Sequence, residues 1–121
     1  MATSIPAHIA QIDQWVGSIE ANKYADLFMI TSNSSDPYTN LVSASPSDVT
    51  LVIVNGVPVY GSTQRITQAG VAATEDIMVC NAKESINSQA LTNGAFSAVS
   101  GRLSSKLASL NSTLGPVAEC Q

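Results

Sequence analysis

Apolar and polar positions follow three different rhythms along this chain. In the last third, Phe96, Val99, Leu103, Leu107, Leu110 and Leu114 recur at spacings of three and four, which keeps them on one face of a helix. The spacing predicts a helix over about 94–114, started by Asn93 as N-cap and stopped by Gly115 and Pro116. The middle of the chain carries two β-branched runs, Val49 to Val54 and Val57 to Tyr60, separated by Asn55 and Gly56 alone. Asn-Gly between such runs predicts a two-residue type I′ hairpin, because both central residues need positive φ. Pro58 has no amide donor, so its strand either turns that position away from a ladder or lies on the sheet edge. The opening 15 residues read as a short helix with Thr3 or Ser4 as cap and Pro6 in the first turn. Extended pieces follow at 18–20 and 25–30, joined by a tight turn in which Asn22 tolerates the left-handed conformation. Residues 31–48 collect Ser, Asn, Asp, Thr and Pro and read as a surface loop. Past Gly61 the pattern weakens to a polar stretch with the makings of a helical turn and a short strand near Asp76 to Cys80.

Composition narrows the classes. The 121 residues suffice for one domain, with 45% hydrophobic and 12% charged residues, a globular balance and not a disordered one. A net charge of −4 without any basic run argues against nucleic acid as a partner. No apolar stretch approaches the roughly 20 residues of a membrane span. Met1 to Pro6 shows no signal-peptide pattern, so the expectation is a soluble, cytoplasmic protein without membrane contact.

Candidate chemistry is thin. One His and two Cys are too few to converge as the three or four soft or nitrogen ligands of a metal site. On a continuous helix His8 and Asp13 lie nearly half a turn apart, which makes His8 an ordinary histidine rather than a ligand or base. No Gly-x-Ser-x-Gly elbow, phosphate loop, Cys-x-x-Cys or calcium loop occurs. Glu75 and Asp76 are adjacent, point to opposite faces of an extended segment, and read as solvated. Cys80 and Cys120 read as two reduced thiols, a disulfide being the alternative in an oxidising compartment. Asn33-Ser-Ser and Asn111-Ser-Thr fit the glycosylation acceptor pattern, which has consequences only in a secreted protein. Spacing alone therefore assigns no catalytic, cofactor-binding or metal residue.

Taken in order, three stretches resemble the tail of the amidohydrolase superfamily, metal-dependent hydrolases that join a (β/α)8 barrel to a smaller β-sandwich. Met1 to Ala7 is similar to the family's "A-T-x-N-P-A" helix start after the eighth barrel strand, with Ile5 where Asn is usual. Gly17 to Leu27 resembles "G-S-I-E-x-G-K-x-A-D-L", with Asn22 at the usual Gly. Asp36-Pro37, Asp48-Val49 and the hairpin to Tyr60 resemble "D-P…D-V-x-x-V-x-V-x-G-x-x-V-Y". The resemblance covers residues 1 to about 61, and the rest looks similar to a C-terminal extension carried by some members.

The resemblance implies an α+β fold: a small, mostly antiparallel sheet from part of the composite sandwich, with a short N-terminal helix and a longer C-terminal amphipathic helix. The expected organisation is a single domain, with 1–15 as the helix after the barrel, 16–61 as sandwich strands with the turn at 55–56, and 62–121 as the extension. It also implies that the one or two divalent metals of full-length members, usually zinc, belong to a barrel outside this chain, leaving no cofactor here. Two functions follow. One is a C-terminal fragment or truncated relative of a hydrolase acting on non-peptide carbon–nitrogen bonds, not catalytic alone and docked on a barrel supplied elsewhere. The alternative is a free-standing binding or assembly module that uses a sheet edge or the C-terminal helix face, including for self-association. If Phe96, Val99, Leu103 and Leu107 fold over Leu27, Met29, Leu51 and Ile53, the chain gains a two-layer core of its own; otherwise it is expected to dimerise or aggregate.

Overall fold

The turn at Asn55 and Gly56 has φ values of 50° and 77°, the pair of positive values that the type I′ hairpin requires. A computed structural model describes residues 3–72, 74–87, 90, 94–115 and 120. Along the chain, α1 (Ser4–Ile9) precedes β1 (Leu27–Ile30), α2 (Pro37–Ser43), a 3₁₀ turn (Pro46–Asp48), β2 (Val49–Val54) and β3 (Val57–Ser62). Then come α3 (Thr63–Gln68), β4 (Glu75–Val79), β5 (Ala82–Ile86) and α4 (Phe96–Ala108). The five strands form one antiparallel sheet in the order β1-β2-β3-β5-β4, so the expected α+β class with a small antiparallel sheet is what the chain adopts.

Pro58 sits in an interior strand without costing a ladder bond. The β3–β5 pairing begins only at Tyr60, and the β2–β3 register shifts between Val52 and Ile53, across from Pro58. Asn87 then takes up the carbonyls left over: its backbone N–H donates to Val59 O (2.8 Å) and its side chain to Pro58 O (3.2 Å).

The core lies mainly in the second half of this fold. Register places Leu51, Gly61 and Ser85 side by side on one face, and α3 covers them with Ile66, which has no exposed surface. Gly61 is needed there, because a Cβ would lie 2.6 Å from the Thr50 carbonyl oxygen. Thr63 and Ser85 share a hydroxyl hydrogen bond of 2.9 Å beneath the helix. On the other face, Ile77 and Val79 are buried, and Glu84 lies beside Ile77 in the register.

Several expectations fail for identifiable reasons. The first helix stops at Ile9, not at 15, because Gln11 adopts φ 57° and turns the chain back. Residues 18–20 are not a strand. The polar loop contains α2, which starts at Pro37 and is capped by Asp36, whose Oδ2 accepts from Thr39 N–H at 2.7 Å. Strand β5 pairs behind β4 through a turn with Cys80 and Asn81 at φ 50° and 69°, a hairpin that the sequence pattern does not announce. The last helix spans Phe96–Ala108 and ends before Gly115; Asn93 and Pro116 lie outside the described residues.

That helix does not fold over β1 and β2. None of its residues is buried, and Val99 (39%) and Leu103 (46%) stay exposed. It is tethered instead at β4, the edge opposite β1, where the Glu75 carboxylate accepts the N–H groups of Phe96 (2.6 Å) and Ser97 (2.8 Å). An anion at these free amides stabilises a helix start whose own cap residue, Ala95, supplies no side-chain bond.

Candidate functional site

The two N-terminal motifs meet in space. Gly17 has φ 97°, and a Cβ there would come 2.6 Å from the Cβ of buried Ala7, so α1 can rest on the following turn only because position 17 is glycine. The stretch from Ser18 to Asp26 is then held by its own polar residues. Lys23 Nζ donates to Ser18 Oγ at 2.6 Å and lies 3.6 Å from the Glu20 carboxylate, while Asn22 takes φ 70°. Backbone bonds from Tyr24 N–H to Trp15 O (2.8 Å) and from Gly56 N–H to Ala25 O (3.0 Å) hang the segment between α1 and the hairpin tip. Asp26 completes the attachment by accepting from Asn55 N–H at 2.6 Å.

Between these anchored pieces lies an open cleft of about 550 Å³, lined among others by Ala7, Ile12, Val16, Ile19, Leu27 and Phe28. Its walls are mostly hydrocarbon, with Thr3, Ser18, Tyr24 and Asp26 as the polar residues of the lining. Of its lining residues Ile12, Ile19, Tyr24 and Phe28 are exposed, Ile19 to 86%.

The titratable residues singled out by sequence do not assemble into a reactive centre. His8 Nδ1 does lie 3.2 Å from Asp13 Oδ2, against the expectation that a helix separates them, because the helix ends at Ile9 and the chain doubles back. This hydrogen bond is the main reason the Asp13 carboxyl is held below its usual range. Glu75 is not merely solvated but caps α4, while Asp76, on the opposite face as expected, pairs with Lys83 at 2.9 Å. Cys80 and Cys120 are joined in a disulfide with Cα atoms 5.3 Å apart, which corrects the reading of two reduced thiols. The cause is the β4–β5 hairpin, whose turn sets Cys80 at the β4 edge where α4 is also tethered.

The family's divalent metal finds no fitting donor set. Among the described residues no group of three or more His, Cys, Asp or Glu is placed to hold an ion, both sulfurs are committed to the disulfide, and His8 faces a single carboxylate. No helix of the described residues is long and apolar enough to cross a membrane.

A family model, described as the amidohydrolase family, matches residues 1–59. Over that segment, just under half of the chain, the sequence is similar to the amidohydrolase superfamily. No curated protein and no solved structure gives a significant match.

The cleft itself was not foreseen. Ile12, Val16 and Ile19 were the available signal, being apolar residues that lie beyond the short first helix.

Proposed function

We propose that residues 1–59 are the part of an amidohydrolase that rests against its barrel. In this reading the chain is a C-terminal fragment or truncated relative of a hydrolase acting on non-peptide carbon–nitrogen bonds, and it does not catalyse alone. The observation that carries this is the apolar cleft walled by Ile12, Ile19 and Phe28, which lies wholly within the matched segment. Its occupant is a barrel domain supplied elsewhere, and the one or two divalent metals, usually zinc, reside in that barrel. A net charge of −4 leaves no role for nucleic acid. The Cys80–Cys120 disulfide favours an oxidising compartment over the cytoplasm.

Equilibrium dialysis of the purified chain against zinc(II) tests the division of labour. No stoichiometric uptake is expected, and one tightly held ion per chain would overturn it. A second reading, an assembly module, draws on the exposed Val99 and Leu103 of α4 and on edge strand β1, where Phe28 and Met29 face solvent. Sedimentation separates the two: self-association abolished by Leu103→Asp but not by Ile19→Asp favours the module.

A further inference from the structure

We propose that Asn111 carries an N-linked glycan, while the second acceptor-like sequence, at Asn33, stays unmodified. Both asparagines fit the Asn-x-Ser/Thr pattern, as Asn111-Ser-Thr and Asn33-Ser-Ser, but the fold treats them differently. Asn111 follows the end of α4 with φ 54°, and its backbone is fixed by N–H donation to Ala108 O (3.1 Å). Residues 111–115 are exposed and lack regular structure, and the Asn111 carboxamide makes no hydrogen bond among the described residues. A sugar on its Nδ2 displaces no contact.

Asn33 is a structural tie. Its Nδ2 donates to Asp48 Oδ1 at 2.8 Å and its backbone N–H to Asn40 Oδ1 at 2.7 Å, joining the β1 exit to α2 and to the turn before β2. A glycan there has to crowd the bond to Asp48. The disulfide is the independent observation pointing to modification at all, since disulfides persist in the oxidising compartments where N-glycans are added. A glycan at Asn111 also screens the neighbouring apolar side chains Leu110 and Leu114, both exposed.

The donor is an oligosaccharide on a polyprenyl diphosphate. The anomeric carbon of its first sugar bonds to Asn111 Nδ2 as its bond to the diphosphate oxygen breaks. The diphosphate departs with that electron pair, and Nδ2 gives up one proton. Nothing is oxidised or reduced.

One unreduced digest reads both features. In protein isolated from its natural source, trypsin cuts after Arg65, Lys83 and Lys106, leaving peptide 66–83 linked through Cys80–Cys120 to peptide 107–121, which contains Asn111. The expected species is this linked pair carrying a glycan that peptide N-glycosidase removes, converting Asn111 to Asp. The pair at its bare mass, or the two peptides found as free thiols with Asn111 unmodified, overturns the proposal. A glycan on peptide 24–65, which contains Asn33, overturns the claim that the Asp48 tie spares that site.

Discussion

Residues 49–86 and residues 4–28 are similar in apolar content but spend it differently. The first region closes on itself: Ile66 and Ser85 are fully buried on one face of the sheet, Ile77 and Val79 are buried on the other, and Leu51 and Val59 are buried too. The second buries Ala7 and leaves Ile9, Trp15, Ile19 and Phe28 facing out, with its backbone attached through Tyr24 N–H to Trp15 O and through the hairpin-tip bonds. Under the proposed function this uncovered hydrocarbon is the face that docks on a barrel. The difference teaches that self-sufficiency and family resemblance divide the molecule along different lines. Hairpin β2–β3 serves both.

The comparison breaks most easily at Ile66. Ile66→Ala should cost about 2–5 kcal/mol by chemical denaturation, while Ile19→Ala should stay within about 0.5 kcal/mol of the parent chain. Equal losses at the two positions would erase the contrast. Next in size is the disulfide. Opening the Cys80–Cys120 loop, 40 residues apart in sequence, should remove about 2–4 kcal/mol, and the matched melting curves with and without reductant measure it.

Glu84 gives a smaller effect with a definite pH sign. It is buried, its Oε2 has no hydrogen-bond partner among the described residues, and burial holds its carboxyl above the usual range. The folded state therefore binds its proton more tightly than the unfolded state. Its contribution is fully present below the unfolded value near 4.5 and is lost as pH rises through the higher folded value. Glu84→Gln should thus stabilise the chain at pH 7 by about 1–2 kcal/mol and do little at pH 3.5. The same gain at both pH values would show that the carboxyl is not protonated on folding. Smallest of all, Leu103→Asp on α4 should shift stability by under about 0.5 kcal/mol, because Leu103 is exposed.

What the sequence made legible were features encoded over a few adjacent residues. The Asn55-Gly56 turn, the left-handed Asn22, strand β4 and the α+β class with its antiparallel sheet are all local or nearly so. Where partners are distant in sequence, the pattern was mute or misleading. The Glu75 cap on α4 spans 21 residues, so the helix start moved to Phe96 and a carboxylate read as solvated became an anchor. The disulfide depends on the same juxtaposition. His8 and Asp13 meet through the positive φ of Gln11, a glutamine that carries no recognisable turn signal. The cleft was hidden for another reason: periodicity reports which residues share a face, not whether anything in the chain covers it.

The central claim is that the Ile12–Phe28 face has a barrel for a partner. The direct measurement is the mass of the native species that carries this segment in its source, captured through α4, freed of glycan and weighed by native mass spectrometry. A species exceeding 12.6 kDa by at least the roughly 250 residues of a barrel is the expected result. A lone 12.6 kDa chain, or a whole-number multiple of it, would contradict the claim.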